Sequence, residues 1–335
     1  MAGMPSDTAP KSRILGTGAY APDKVLSNAD LERLVDTSDA WITERTGIKE
    51  RRVAADGQAS SDMALEAAKR ALEAAGLTAK DLDMIIVGTV TPDLPMPACA
   101  ALLQHKLGAG PIPSFDISAA CAGFIYAMSI ADQFIRSGAQ KHVLIVGVEL
   151  LSRILNWKDR TTCVLFGDGA GAAVLGPAQG DGAGILSTKL YTDSSLVGSL
   201  CIPAGGSKER LTAEGLAAQR DKVHMAGQDI FKVAVKNLSS ASRSALEQAD
   251  LPASAVRWVV PHQANLRIIA QVAQRLDIPL ERFVLNIERY GNTSSASIPI
   301  ALDEALRDGR IQKGDTVLMC GLGAGISWGS ALLRV

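Results

Sequence analysis

Aromatic side chains are scarce in this chain of 335 residues, at 4%, which removes the stacking surface that a single-strand nucleic-acid binder needs. An excess of one charge is missing too. Lys and Arg number 34 against 35 Asp and Glu, a formal net charge of −1, so there is no basic field to hold a phosphate backbone. Cysteine occurs five times, an odd and low count that makes no disulfide framework and points to a reduced, cytoplasmic setting. No apolar run approaches the ~20 residues that span a bilayer. The longest, residues 84–90 and 143–148, are the size of buried strands. Met1 to Lys11 is polar, with no apolar core of signal-peptide length, and residues 1–12 read as a flexible tail. Histidine, at four, leaves few choices for a catalytic imidazole.

What is present is 47% hydrophobic residues and 31 glycines, the makeup of a tightly packed α/β protein with many backbone turns. The chain also repeats itself. Six of the nine residues of Ala71–Ala79 recur in Ala245–Ala253, and Val143–Gly147 recurs as Val317–Gly321, both at an offset of 174. Near the start of each half, Ile14, Leu15, Thr17 and Tyr20 recur as Ile185, Leu186, Thr188 and Tyr191, at an offset of 171. Three blocks in one order at nearly one offset describe a duplicated domain, because the period is far too long for a solenoid. The halves are expected at residues 13–176 and 177–335. Each reads as strand, helix, strand, strand-to-helix turn, strand, with all-apolar strands covered on both faces. A site is expected where the halves meet. The polar stretch 195–222 reads as an insertion that could form a lid or tunnel wall.

Cys121 lies in Ser118-Ala119-Ala120-Cys121-Ala122-Gly123, where a strand enters and a helix leaves. A helix N-terminus favours thiolate over thiol, and small neighbours allow close approach by a substrate. The other four cysteines, Cys99, Cys163, Cys201 and Cys320, read as buried and structural. Among the histidines, His105 and His142 sit in polar surroundings and His224 is indeterminate. His262 follows the apolar Val259-Val260 and leads into Gln263-Ala264-Asn265, at the strand end where α/β sites gather. Tyr290–Pro299 is the second-half counterpart of the Cys121 turn. Its Asn292 could meet a developing oxyanion, although on its own it reads equally as a turn residue. The Gly-rich Gly321–Gly329 lacks the GxGxxG pattern and a following nucleotide helix, so exposed backbone donors suit it better than phosphate cradling.

Together, Ala120–Phe124, Pro261–Asn265 and Gly291–Ser294 resemble the β-ketoacyl-acyl-carrier-protein synthase III family of thiolase-like condensing enzymes, over essentially the whole chain from Arg13. The resemblance implies a duplicated five-layer αβαβα fold and a homodimer. It implies a Cys-His-Asn triad at Cys121, His262 and Asn292. Elongating ketosynthases place a second His where Asn292 stands and thiolases use a second Cys, a role not given to Cys320. Plant-type polyketide synthases share the triad, but the sequence around His262 favours synthase III.

The implied reaction has two halves. Cys121 takes an acyl group from acyl-CoA, with the backbone N–H groups of Cys121 and Ala324 holding the oxyanion, each such donor typically worth ~3 kcal/mol. Malonyl-acyl-carrier protein then loses CO2, with His262 and Asn292 donating to the forming enolate, and the carbanion attacks acyl-Cys121. No metal or redox cofactor is required. The resemblance places Thr37, Trp41, Arg45 and Arg160 at the CoA entrance, Gly227 and Asn265 along the pantetheine arm, and Lys232 and Arg267 against the acidic carrier protein. Met96 stands where a partner subunit's aromatic residue ends the acyl pocket in short-primer relatives, which suggests a longer or branched primer here. The competing readings are an acyltransferase or starter-condensing relative in polyketide and other secondary metabolism, and, remotely, an inactive binding subunit of the same fold.

Overall fold

The computed structural model describes residues 11–335. Most of the expected tail lies outside that range, but Ser12 already begins a strand and is buried. Its hydroxyl donates to the buried carboxylate of Asp132 at 2.6 Å, which anchors the chain two residues into the described part.

Among the described residues, two large sheets carry the fold. The first runs Ser12–Tyr20, Gly169–Pro177, Val143–Glu149, Met84–Gly88, Ser114–Ile117 from edge to edge. The second runs Gly184–Thr192, Ser327–Arg334, Thr316–Gly323, Trp258–Pro261 in the same sense. The halves therefore divide between Pro177 and Gly184. The registers agree residue by residue: Met84 pairs with Val143 in one parallel ladder, and Trp258 pairs with Val317 in the other, each 174 residues later. The second half has no full copy of the edge strand Ser114–Ile117. A single bridge between Val259 and Phe283 takes its place.

Strand alternation builds the layers. Along Met84–Val87 and Val143–Val146, side chains point by turns to opposite faces. Met84, Ile86, Val143 and Ile145 enter a central core shared with Val260, Val317 and Met319 of the second sheet. The helices Gly123–Arg136 and Ser297–Arg307 fill that central layer with Phe124, Met128, Ile298 and Leu302. Ile85, Val87, Leu144 and Val146 face the other way, against the helix Ser60–Ala75. On the far side of the second sheet, Val259, Leu318 and Cys320 pack on the helices Gly227–Gln248 and Leu266–Leu276. The result is the five-layer αβαβα arrangement. Both central helices start at the mid-plane, where the two strand-to-helix turns meet.

Candidate active site

Each central helix is entered through a tight turn with the same unusual geometry. Ala119 to Ala122 and Thr293 to Ala296 are each closed by an i to i+3 backbone hydrogen bond of 3.0 Å. At the equivalent second positions, Ala120 and Ser294 adopt φ of 45° and 48°, a left-handed conformation that costs energy for a residue other than glycine. Cys121 follows Ala120 and Ser295 follows Ser294. The strands behind approach so closely that only glycine fits. A Cβ on Gly323 would lie 2.4 Å from the Cys121 nitrogen, and one on Gly147 would lie 2.2 Å from the Ser295 carbonyl oxygen. Each half thus braces the turn of the other.

Cys121 sits where two cavities join. One, of about 210 Å³, is apolar and is walled by Leu151, Ile154, Phe166, Ile202 and Val223, with Ala324 and Ser294 also in its lining. The other, of about 160 Å³, leads past His262, Asn292, Gly227 and Asn265 to Phe231. The triad expected from the sequence therefore shares one cavity. Leu200, Cys201 and Ile202 bring the 195–222 insertion into the apolar wall. Cys201, expected to be a buried structural thiol, is half-buried and lines that wall. A larger groove of about 430 Å³ lies under Arg13, Arg307, Lys313 and Arg334, and no cysteine or histidine lines it among the described residues.

The thiol itself departs from expectation. Burial pushes Cys121 up to about 12, with the negative charge of Glu149 acting in the same sense. The Ser294 hydroxyl and the residue's own backbone N–H pull downward but do not win. The helix N-terminus thus does not by itself make a thiolate here, because desolvation of the charged form is the larger effect.

His262 and Asn292 are both buried and both oriented. Burial drives His262 down to about 3, so the ring is neutral at pH 7. Its Nδ1 lies 2.6 Å from the Ser297 hydroxyl, and its backbone N–H donates to Cys320 O at 2.8 Å. Asn292 accepts from the Ser294 backbone N–H through Oδ1 at 2.8 Å, which turns the donating Nδ2 end of the amide away from that bond. Ala324 is not among the residues with positive φ, so alanine serves in the Gly-rich turn without strain.

At the mouth, the Arg45 and Arg160 guanidinium groups lie 4.7 and 5.2 Å from the Trp41 ring centroid, and Arg160 donates to the Asp36 carbonyl at 2.8 Å. Trp41 is half-buried against Leu31 and Ile42, so it packs and still offers a face. Thr37 Oγ1 is buried without a hydrogen-bond partner among the described residues. Asn265 does structural service: Nδ2 donates to Arg45 O at 3.0 Å and Oδ1 caps the helix Leu266–Leu276. Lys232 and Arg267 are exposed, and the Arg267 guanidinium lies 5.9 Å from the Phe231 ring at the cavity end. Met96 is 85% exposed and lines neither of these cavities.

Sequence reasoning missed three residues. Glu149, Ser294 and Ser297 hold the two turns together from beneath; Ser294 and Ser297 lie in the Tyr290–Pro299 segment without a role read for them, and nothing around Glu149 distinguishes it. Among the described residues, no group of three or more His, Cys, Asp or Glu could hold a metal ion, and no helix is long and apolar enough to cross a membrane.

Comparison with known proteins agrees with this geometry. Residues 115–194 match the family model for 3-oxoacyl-[acyl-carrier-protein] synthase III, and residues 246–335 match the model for its C-terminal part. A β-ketoacyl-[acyl-carrier-protein] synthase III of Xanthomonas campestris is 52% identical over 96% of this chain and 98% of its own. The crystal structure of 3-oxoacyl-[acyl-carrier-protein] synthase III from Aquifex aeolicus is 48% identical, with a TM-score of 0.89 over 97% of this chain and 100% of that one. A priming β-ketosynthase from a polyketide biosynthetic pathway is 37% identical, with a TM-score of 0.90 over 99% and 98%.

Proposed function

The chain belongs to the 3-oxoacyl-[acyl-carrier-protein] synthase III family and is an acyl-transferring condensing enzyme of fatty-acid initiation; from that premise we propose that Cys121, His262 and Asn292 perform its two half-reactions. The observation that carries this reading is their meeting on one cavity, with a neutral imidazole and a fixed amide facing a buried thiol.

In the first half-reaction, the adenine end of acyl-CoA stacks on Trp41 between Arg45 and Arg160, with Thr37 beside it. The pantetheine arm runs past Gly227 and Asn265. Deprotonated Cys121 attacks the thioester, and the N–H groups of Cys121 and Ala324 receive the oxyanion. CoA leaves, and the acyl chain lies in the apolar cavity. Malonyl-acyl-carrier protein then docks on Lys232 and Arg267. Its thioester oxygen accepts from His262 Nε2–H and Asn292 Nδ2–H as CO2 departs. The Ser297 hydroxyl lies 2.6 Å from Nδ1 and 2.9 Å from the Ser294 carbonyl; when it donates to Nδ1, the ring proton is on Nε2. The enolate attacks acyl-Cys121, and Cys121 leaves as thiolate. Neither half draws on a metal or redox cofactor.

The apolar cavity and the absence of an aromatic residue at position 96 support a primer longer than acetyl or branched. Acetyl-, isobutyryl- and octanoyl-CoA compared at equal concentration test this, and strict acetyl preference overturns it. A homodimer is supported by the open edge strand Ser114–Ile117 and by Leu94 and Met96, exposed close by. Five free thiols suit the cytoplasm.

Intact-protein mass spectrometry after brief exposure to acyl-CoA tests the core of the proposal. An acyl adduct is expected on wild type and not on Cys121→Ala, and it should discharge with CO2 release when malonyl-acyl-carrier protein is added. Discharge only to an alcohol or amine acceptor would favour the secondary-metabolic reading, and no adduct at all would overturn the assignment.

A further inference from the structure

Glu149 is a buried carboxylate that the reaction above does not use. It ends the strand Val143–Glu149 and has no exposed surface. Its donors are the Val90 N–H, Thr91 Oγ1 at 2.6 Å, Thr89 Oγ1, and the Ser294 and Ser295 hydroxyls at 3.1 and 3.2 Å. All are neutral, and no cation pairs with it among the described residues. A buried charge without a counter-ion is costly, so a carboxylate that braces these turns is also one that readily takes a proton. Ser294 links it to the chemistry. The Ser294 hydroxyl donates to Glu149 Oε1 at 3.1 Å, and Ser294 lines the same cavity as Cys121. Cys121 is the titratable group coupled to Glu149; Thr89, Val90, Thr91, Ser294 and Ser295 do not titrate.

The thiol needs such an acceptor, because His262 is neutral, weakly basic and tied through Nδ1 to Ser297. Resting on Cys121 as the acyl-accepting nucleophile, we infer that Glu149 takes the Cys121 proton through the Ser294 hydroxyl. The S–H bond breaks as the proton passes to Ser294 Oγ, and the Ser294 O–H proton passes to Glu149 Oε1. The site then holds a thiolate and a neutral carboxylic acid. Thiolate attack expels CoA as its thiolate, which takes the proton back along the same path and leaves Glu149 ionised. Condensation later releases Cys121 as a thiolate, which solvent reprotonates, so the second half-reaction asks nothing of Glu149. Burial holds Glu149 up to about 7, where it can both accept and return a proton near neutrality.

The two half-reactions therefore separate the relay from mere scaffolding. Acylation is followed by rapid-quench mass spectrometry with octanoyl-CoA. Condensation is followed from enzyme pre-acylated by long incubation. Wild type, Glu149→Gln and Ser294→Ala are compared across pH 5.5 to 9. Ser294→Ala should fold, since Ala120 adopts the same left-handed turn in the other half. Both variants should slow acylation by ~10²-fold, the usual scale of general-base loss, with condensation within threefold of wild type. The rise of the wild-type acylation rate with pH through neutrality should be absent from Glu149→Gln. Equal loss in both half-reactions would reduce Glu149 to a structural clamp. Acylation of Glu149→Gln as fast as wild type, or faster, would show that its charge only opposes the thiolate. Either result overturns the relay while leaving acylation of wild-type Cys121 intact, whereas failure of wild type to acylate would instead remove the nucleophile.

Discussion

Replacing Gly323 with alanine adds one carbon to the strand behind the Cys121 turn, and the structure fixes what that carbon meets. The new Cβ would stand 2.4 Å from the Cys121 nitrogen and 2.8 Å from the Ala120 Cβ. Neither neighbour is the free end of a side chain, so neither can rotate away. Ordinary contact begins at 3.4 Å, so the Cys121 backbone must retreat by about 1 Å, and that N–H is one of the two proposed oxyanion donors. A misplacement of ~1 Å in a reacting group can cost ~10²-fold, equivalent to about 2.7 kcal/mol of barrier. Overpacking adds a stability loss of ~1–3 kcal/mol. Gly321→Ala is the graded control: its Cβ would lie 3.0 Å from Cys121 O and 3.2 Å from the flexible Ile298 Cδ1, so the loss should be smaller. Gly110→Ala meets nothing within 4 Å and needs no positive φ. It should keep full activity and gain ~0.4–1 kcal/mol from a stiffer unfolded chain. Rapid-quench acylation and thermal unfolding of the three variants measure the series. Wild-type acylation by Gly323→Ala, or greater damage from Gly321→Ala, would refute the packing argument.

Acid should destabilise the fold through His262. Its pKa falls from 6.5 in the unfolded chain to about 3, so between those values the unfolded state binds the extra proton and stability drops as pH falls. By pH 5 that contribution costs about 2 kcal/mol, while Glu149, raised from 4.5 to about 7, binds its proton in the folded state over the same window and returns a similar amount; urea unfolding at pH 7 and pH 5 should therefore show wild type losing about 2 kcal/mol relative to His262→Ala, and equal changes in the two proteins would contradict the assignment. Trp41→Ala removes the face flanked by Arg45 and Arg160. It should raise KM for acyl-CoA by ~5–30-fold, as expected for losing ~1–2 kcal/mol of cation–π and stacking contact, and leave condensation of pre-acylated enzyme unchanged. Lys232→Glu with Arg267→Glu should raise KM for malonyl-acyl-carrier protein and flatten its salt dependence, while acylation by acyl-CoA continues at the wild-type rate.

The architecture was legible because buried parallel strands must be apolar on both faces, which preserved Val143–Val146 and its copy Val317–Cys320 well enough to align. The missing fifth strand of the second half was not legible, since a single bridge at Phe283 leaves no apolar run to read. Cys121 and His262 stood out through their places at strand ends, whereas Asn292 needed the family resemblance. The upward shift of the Cys121 thiol was not legible, for a physical reason. Helix position can be read from sequence, but desolvation depends on Phe166, Leu200 and Ile202 closing over the sulfur. Glu149 escaped notice because a carboxylate at the end of a strand is ordinarily solvated, and only the fold buries it.

The duplication holds information that neither local motifs nor composition supplied. Positions 174 residues apart occupy equivalent places, and across most of the core they carry similar residues. Four of the places where they differ in kind lie at the site. His262 corresponds to Gly88 and Ser297 to Gly123. In the first half those two glycines touch, with a Cβ on Gly88 only 2.9 Å from the Gly123 carbonyl carbon, whereas in the second the same places hold a hydrogen-bonded imidazole and hydroxyl. Cys121 corresponds to Ser295, whose hydroxyl is committed to Gly88 O and Glu149. Glu149 corresponds to Gly323, so one copy presents a carboxylate to the two turns and the other presents nothing and lets the Cys121 backbone approach. Two identical turns would each need both a nucleophile and its supports in the same crowded volume. Divergence assigns the nucleophile and its close-packed donor strand to one turn, and the imidazole, amide and hydroxyls to the other. At these four pairs, the mismatch between internal copies follows the division of labour at the reacting centre.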